Sequence, residues 1–511
     1  MKYIFLYCFV LFLLSINTSC STPPEQVDTL PSPVIKQGVA KISGNITGNT
    51  PIYSFNLYIH APVTHNNLTY EIPVNTDGSF EYEVLLETDK TITTISSNVF
   101  EKYIQICLST EKETILNLDL NGGEITDVTL NGAISFNKFD ITTNSDLFVK
   151  MSQYSAYDSL HNEFRSAYDV SPDTYLRYIN EMIDYRIEKV VSDNQNLSPW
   201  GKIYLSNDFK LFCLSSSVFF YTGEMEMNYK DNNPKERWSE FVVPEEPKKS
   251  YYSFLKDLNL NDPIYLYNVG YSRILEQILK NNTLAIPAIG DTPIDIWLRE
   301  VKEILSELVG FDESLFYDLL VTHAFALQFN DKLIPLSDKQ KENIHNYFKN
   351  SDIETILLQR NDEIIRLAKG KSIAVVNETP VVEKEKLMSA ILSKYKRKVV
   401  IVDFWATWCG PCLDAMQEIR GLKANMKDKD VVYVYITNPS SPKKAFDAKI
   451  EGIGGEHYYL SEEEWEYILD KYEFTGIPTY LIFDKDGKFV NKYVGYPGND
   501  VMEKEITNLL P

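Results

Sequence analysis

The spacing of apolar residues changes twice along the chain and so divides it into three regions. From about residue 38 to 140, apolar and polar residues alternate in short segments such as residues 55–59, and turn signals such as residues 77–78 separate them. This two-residue period predicts an N-terminal domain of short strands arranged as a β-sandwich. From about residue 141 to 370, apolar residues instead recur every three or four positions, which predicts an all-α middle region.

One predicted helix in the middle region has clear signals at both ends. Thr292 and Pro293 precede it, and Gly310 follows it. Proline is favoured in the first turn of a helix and glycine just past its end. The positions between them form one apolar stripe: Ile294, Trp297, Leu298, Val301, Leu305 and Leu308. We therefore expect an amphipathic helix that packs on the rest of this region through the stripe.

In the last region, residues 371–511, predicted strands alternate with predicted helices. The β-branched residues 399–402 predict a buried central strand that continues to Phe404. The apolar residues after it recur at helical spacing: Leu413, Met416, Ile419 and Leu422. Further strands are expected at residues 431–436, 480–483 and 488–493, and further helices at residues 387–395, 461–472 and near the C-terminus. This alternation predicts an α/β domain with helices on both faces of a mixed sheet.

Two cysteines, Cys409 and Cys412, lie where the central strand gives way to the first of these helices. Pro411 fits the first turn of that helix. Unpaired backbone N–H groups and the helix dipole stabilise a thiolate at this end and lower the pKa of Cys409. Cys409 is thus predicted to be the attacking nucleophile, and Cys412, one turn on, to resolve the mixed disulfide. Trp408 and Pro411 would shield the pair while leaving one sulfur open.

Two other interpretations of this cysteine pair have less support. Half of a zinc site is one of them, but zinc needs about four ligands, and His457 is the only other candidate in this region. No metal ligand is therefore predicted. A purely structural disulfide is the other, but its closed loop is too short to constrain the unfolded chain much.

The segment 403–412, D-F-W-A-T-W-C-G-P-C, resembles the active-site segment of the thioredoxin superfamily. Residues 371–511 as a whole resemble its TlpA/ResA-like lipoprotein branch, a group of thiol:disulfide oxidoreductases. The resemblance implies a C-terminal thioredoxin fold and a redox-active disulfide between Cys409 and Cys412, with no organic cofactor and no metal. The Gly-Pro pair between the cysteines, as in thioredoxin, implies a reductant more than an oxidant.

A second motif supports the same resemblance, because thioredoxin-like proteins carry a cis-proline ahead of a strand. Here Pro478 precedes the predicted strand at residues 480–483 and is the candidate. In such folds the backbone before this proline pairs with the incoming peptide, so Ile477 is expected to line the substrate groove. The residues around the cysteines complete the expected substrate-binding set: Trp408, Gly410 and Pro411. An ordinary turn proline is the alternative.

Asp403 matches the buried aspartate of thioredoxins, six residues before the first cysteine. Many members of the TlpA/ResA branch have asparagine there, so this chain departs from its branch towards thioredoxin itself. Burial raises the pKa of a carboxyl group. Such a group is able to take the proton from Cys412 during resolution and return it later. A solvated or salt-bridged carboxylate at a strand end is the alternative.

The first residues of the chain predict where this chemistry takes place. An apolar run at residues 3–16 follows Lys2, and small polar residues then lead to Cys20. This pattern predicts a signal peptide at residues 1–20, whose apolar run is too short to span a bilayer comfortably. Ser19-Cys20 resembles a bacterial lipoprotein cleavage site, which implies that Cys20 becomes the lipidated first residue. The proline-rich residues 21–37 are expected to form an extended tether.

Composition sets further limits. A chain of 511 residues is expected to contain about three domains. Its net charge of −22 argues against nucleic acid or anionic lipid surfaces as partners.

The β region resembles the small β-domain found ahead of thioredoxin modules in exported lipoproteins. Cys107 and Cys213 are interpreted as buried small hydrophobes, and a disulfide between them stays open.

These observations predict a lipid-anchored thiol:disulfide oxidoreductase in the bacterial cell envelope, facing the periplasm. Its partners would be the thiols and disulfides of exported proteins and a membrane or periplasmic electron donor. A second interpretation is an envelope binding or assembly lipoprotein whose upstream domains carry the main role. A third, a thiol peroxidase, has less support because Cys409 lacks the Thr-x-x-Cys setting usual for a peroxidatic cysteine.

Overall fold

The computed structural model describes residues 30–100, 102–134, 136–153, 166–370 and 373–510. The predicted signal peptide with Cys20, and residues 21–29 of the predicted tether, lie outside the described residues. Within those ranges, no helix combines the length and the apolar character needed to cross a membrane.

The N-terminal region consists of two four-stranded sheets. Its strands are β1 (Ile35–Gly48), β2 (Ser54–Ala61), β3 (Asn66–Pro73), β4 (Ser79–Thr88), β5 (Lys90–Ser96), β6 (Ile104–Ser109), β7 (Thr114–Asn121) and β8 (Glu124–Asn131). The sheet orders are β4-β1-β7-β8 and β3-β2-β5-β6, and the β1–β7 pair is parallel. Side chains of both sheets enter one apolar cluster. The alternating pattern thus gives strands as predicted, while their arrangement as a sandwich stays a prediction.

Residues just before β1 already pack against the N-terminal β region. Leu30 is 4% exposed and belongs to the apolar cluster of the β region. The hydroxyl of Tyr267 donates a hydrogen bond of 2.7 Å to the carbonyl oxygen of Pro31. Residues 30–37 of the predicted tether therefore pack on the folded protein.

The middle region is helical. Its α-helices are α1 (Lys138–Gln153), α2 (Pro172–Ile187), α3 (Pro199–Ser216), α4 (Tyr221–Asn232), α5 (Val269–Lys280), α6 (Ile294–Val309), α7 (Leu315–Lys332), α8 (Asp338–Phe348) and α9 (Asp352–Gly370). Helix α6 buries the stripe that the sequence predicts, and Gly310 ends it with a left-handed φ of 86°. Most of these helices share one large apolar cluster.

The C-terminal region wraps helices around a six-stranded mixed sheet. Its elements are β9 (Ala374–Asn377), α10 (Lys384–Ser393), β10 (Val399–Phe404), α11 (Gly410–Glu418), α12 (Arg420–Asn425), β11 (Val431–Thr437), α13 (Lys443–Ile453), β12 (Gly455–Tyr459), α14 (Glu462–Tyr472), β13 (Thr479–Phe483), β14 (Phe489–Val494) and α15 (Asn499–Leu509). The sheet order is β14-β13-β10-β11-β12-β9. Central strand β10 pairs in parallel with β11 and antiparallel with β13.

Alternate residues of β10 face two separate apolar clusters, one on each side of the sheet. Val400 and Val402 pack with helices α10 and α14, whereas Val399 and Ile401 pack with α11, α12 and α15. Burial on both faces explains why this strand reads as a continuous apolar run. The predicted helix after the cysteines differs in one respect, because it breaks into α11 and α12 at Ile419.

All three regions meet around helices α11 to α13. The side-chain amide of Asn67, on β3, donates a hydrogen bond of 3.1 Å to Oδ1 of Asp414 on α11. Arg420 on α12 donates through Nη2 to the carbonyl oxygen of Asn330 on α7. A Cβ atom at Gly452 would lie 1.7 Å from the carbonyl oxygen of Asp331. Helix α13 is therefore able to approach α7 this closely only because it carries glycine at that position.

Candidate redox-active site

The local sequence places both cysteines at the start of a helix. Strand β10 ends at Phe404, and the buried Trp405 and Ala406 continue the chain into a turn in which the N–H of Cys409 donates to the carbonyl of Ala406 at 3.1 Å. Helix α11 begins at Gly410, with Pro411 in its first turn. Cys409 is the N-cap residue, and its sulfur accepts a hydrogen bond of 3.2 Å from the N–H of Cys412.

A disulfide bond joins Cys409 to Cys412. Both residues are buried, Cys409 at 4% exposure and Cys412 at 0%. In the dithiol form, the N–H group that points at Cys409 and the positive end of the helix dipole would stabilise a thiolate at this residue. The geometry therefore favours Cys409 over Cys412 as the nucleophile.

The predicted substrate-binding residues lie around the disulfide. The Ile477–Pro478 peptide bond is cis, as the motif predicts, and the carbonyl oxygen of Ile477 lies 3.7 Å from Sγ of Cys409. Trp408 is 58% exposed, and its indole N–H donates to Oγ of Ser440 at 3.2 Å. The remaining two members of the set, Gly410 and Pro411, form the first turn of α11.

Asp403 is buried in the sheet at 3% exposure. Its neighbours in register are Tyr435 on β11 and Tyr480 on β13. Burial raises the pKa of Asp403 to about 8, and the Tyr480 hydroxyl and the Lys423 ammonium oppose this rise only in part. Its Oδ1 atom has no hydrogen-bond partner within the described part of the chain. A solvated carboxylate, the alternative raised by the sequence, does not match this environment.

Lys423 is a buried cation that the sequence did not single out. Its ammonium donates hydrogen bonds of 2.9 Å to the Tyr435 hydroxyl and 2.8 Å to the carbonyl of Ile453. Burial and the charge of Arg420 together lower the pKa of Lys423 to about 7, although the charge of Asp403 acts in the opposite direction. A lysine on a helix normally indicates a solvated face, so only the pairing of β10 with β11 reveals this neighbourhood.

The two other described cysteines and the candidate zinc ligand take no part in the disulfide. Cys107 and Cys213 are both free and buried, so no disulfide joins them. His457 stacks on Tyr435, with ring centroids 5.1 Å apart, and its Nε2 atom lies 3.2 Å from the carbonyl oxygen of Gly454. Over the described ranges, no three His, Cys, Asp or Glu side chains are arranged to hold a metal ion.

Each of the following matches to known proteins covers about a quarter of the chain or less. A family described as thioredoxin-like matches residues 397–489. The thiol-disulfide oxidoreductase ResA of Bacillus cereus is 26% identical over 126 residues, which are 24% of this chain and 68% of that protein. A thioredoxin of Staphylococcus aureus is 33% identical over 106 residues, 20% of this chain and 75% of that protein. The structure of a thioredoxin-family thiol:disulfide interchange protein from Chlorobium tepidum is 23% identical, covers 24% of this chain and 85% of its own, and has a TM-score of 0.21.

Proposed function

Since this chain belongs to the thioredoxin-like family and is a thiol:disulfide oxidoreductase, we propose that it is exported, tethered to a membrane, and reduces disulfides in proteins of the cell envelope. The observation that carries the proposal is the Cys409–Cys412 disulfide at the N-terminus of α11, beside the carbonyl of Ile477. A dithiol at a helix N-terminus has an activated sulfur, and its partner is close enough to close the ring again.

The reaction transfers two electrons from the dithiol to the substrate. The Cys409 thiolate attacks one sulfur of the substrate disulfide, and the other substrate sulfur leaves as a thiolate. Cys412 then loses its proton and attacks Cys409, which breaks the mixed disulfide and releases the second substrate thiol. The protein is left with the Cys409–Cys412 disulfide. A separate redox protein, in the membrane or the periplasm, must return two electrons before the next turnover.

The surrounding residues have distinct roles in this proposal. Asp403, held at a raised pKa by burial, accepts the proton of Cys412 during resolution. The carbonyl and N–H groups next to Ile477 and Pro478 hold the backbone of the substrate cysteine. Trp408 offers an exposed aromatic surface beside Cys409. No organic cofactor or metal takes part, because the disulfide itself carries the electrons.

The direction of electron flow is tested by the reduction potential of the Cys409–Cys412 pair. We expect a value near the roughly −270 mV of thioredoxin, because the two proteins share Gly-Pro between the cysteines. The measurement equilibrates the full chain with thiol buffers of known potential and quantifies the disulfide by alkylation and mass spectrometry. The Cys409→Ser variant is the control for alkylation at other cysteines. A potential near the roughly −120 mV of DsbA would reverse the proposed direction.

The proposed location rests on residues 1–20 and is tested at Cys20. The wild-type protein is expected in the membrane fraction with a lipid-modified N-terminal cysteine. Cys20→Ser, which lacks the thiol that carries the lipid, is expected to stay uncleaved or to appear in the soluble fraction. A Ser21→Ala variant, one residue away, should behave as wild type. An unmodified wild-type N-terminus by mass spectrometry would contradict lipid anchoring while leaving the redox assignment intact.

A further inference from the structure

A cleft of about 440 Å³ lies beside the disulfide, between the thioredoxin-like domain and the two regions that precede it. Its volume is in the range of roughly 300–1,000 Å³ typical of ligand sites. One end is lined by Trp408 and Gly410, which flank Cys409 in the chain. The far wall comes from β3, α5 and α7. The cleft therefore begins at the catalytic turn and extends away from it between domains.

Charged side chains line this cleft, and the acidic ones already have partners. Four basic and three acidic residues are among its described lining. Glu276 and Asp331 both form ion pairs with Lys280. Asp414 accepts a hydrogen bond of 3.1 Å from the side chain of Asn67. The carboxylates of the cleft are thus neutralised or hydrogen-bonded by the protein itself.

The other three basic side chains differ from Lys280, because most of their hydrogen-bonding capacity is unused. Arg273 on α5 and Lys449 on α13 are partly buried, and neither makes a hydrogen bond or an ion pair with any residue that the structure describes. Arg420 makes one bond through Nη2, while its Nε and Nη1 atoms are buried without a partner in the same ranges. Nearby carboxylates act on Arg273 and Lys449 through space but form no direct ion pair with either, so both cations keep hydrogen-bond donors free for a ligand.

We propose that this cleft binds acidic side chains next to the cysteine of a protein substrate. The inference rests on the reductase function proposed above and adds the substrate class to it. A peptide segment whose cysteine reaches Cys409 beside Ile477 would extend by about 3.3–3.6 Å per residue. Its next residues would then pass Trp408 and enter the cleft, where carboxylates pair with Arg273 and Lys449. The helical middle region thus contributes Arg273 to the proposed substrate-binding cleft, and the thioredoxin-like domain contributes Lys449.

The experiment compares two disulfide-linked peptide dimers that differ only in charge. In one, the single cysteine is flanked on both sides by glutamate, and in the other by glutamine. Pre-reduced full chain is mixed with each peptide, and oxidation of the Cys409–Cys412 dithiol is followed in a single turnover, so no electron donor is needed. We expect the glutamate peptide to react about tenfold faster at low salt, and this preference to shrink as salt is added.

Two variants separate the cleft from general charge effects. The double variant Arg273→Gln with Lys449→Gln is expected to lose the preference for glutamate while reducing the glutamine peptide at the wild-type rate. Lys444→Gln, on the same helix as Lys449 but exposed and outside the cleft lining, should keep the preference. Equal wild-type rates for both peptides, or a preference that survives in the double variant, would overturn the inference and leave the reductase function standing. If wild type reduces neither peptide, the reductase function itself fails, and the inference fails with it.

Discussion

Replacing Cys409 with serine is expected to abolish disulfide reduction, whereas replacing Cys412 with serine is expected to trap the substrate. A serine oxygen cannot form the mixed disulfide, so Cys409→Ser has no first step. Cys412→Ser retains the nucleophile at the N-terminus of α11 but lacks the thiol that would release the bound protein. The two variants therefore fail at successive steps of the same reaction.

The measurement expresses each variant in intact cells and separates the captured proteins on non-reducing gels before mass spectrometry. Cys412→Ser should give bands that disappear with reductant, and the captured cysteines should be enriched in acidic neighbours. The double variant Cys409→Ser with Cys412→Ser is the control for capture through Cys107 or Cys213, which are free but buried. Capture that persists in this double variant would show that the trapped proteins do not react with the proposed nucleophile. If nothing is captured although Cys409 reacts with small thiol probes, the upstream regions become the better candidates for the main function.

Asp403→Asn is expected to make the protein more stable and the enzyme slower at the same time. Burial raises the pKa of Asp403 from its ordinary 3.8 to about 8. Above pH 3.8 the unfolded chain releases this proton, whereas the folded protein retains it until about pH 8, so the carboxyl favours unfolding increasingly as the pH rises through this window. The effect is about 1.4 kcal/mol per pH unit, or on the order of 4 kcal/mol at pH 7. Asparagine fills the same space without this penalty.

The same substitution removes the proposed proton acceptor for Cys412. General acid–base groups contribute about 10²- to 10⁴-fold, so a loss of about a hundredfold in the resolution step is a conservative expectation. In wild type this step should accelerate as the pH rises towards 8 and Asp403 ionises, and the variant should lack that rise.

Thermal unfolding of the oxidised proteins at pH 4 and pH 7 provides the stability comparison. The gain from Asp403→Asn should be clear at pH 7 and small, about 0.6 kcal/mol, at pH 4, where the carboxyl is protonated in the folded protein and about two-fifths protonated in the unfolded chain. Glu503→Gln, at an exposed site on α15, serves as the matched control for removal of one negative charge. A variant that loses both stability and activity would mean that Asp403 is needed for packing and not for proton transfer.

Local sequence signals predicted much of the C-terminal fold. The β-branched run predicted β10, observed as Val399–Phe404, and the helix predicted at residues 461–472 is α14, which begins with a capping box formed by Ser461 and Glu464. These features depend on residues close together in the chain, as does the N-terminal position of Cys409. Strands β9 and β12 were missed because they are short and, as edge and near-edge strands, depend on partners distant in sequence.

The charged and polar neighbours of the redox site were harder to predict from the sequence. Asp403 was recognised by its distance from Cys409, but its flanking tyrosines, Tyr435 and Tyr480, depend on the register of three strands. Lys423 was not singled out, because a lysine at a helix position normally indicates a solvated face. The cleft was even harder to predict from local sequence patterns, because Arg273 and Lys449 come from separate domains and come together only in the folded protein.

The docking of Leu30 and Pro31 on the folded protein limits how far the enzyme would stand from its membrane. With a lipid on Cys20, only ten residue-to-residue steps, from Cys20 to Leu30, would separate the anchor from the packed chain. Fully extended, they reach at most about 33–36 Å, little more than the hydrocarbon thickness of a bilayer at about 30 Å. The enzyme would then move laterally as part of the membrane surface. Its reach would favour membrane-bound or surface-bound substrates over those free in the bulk compartment.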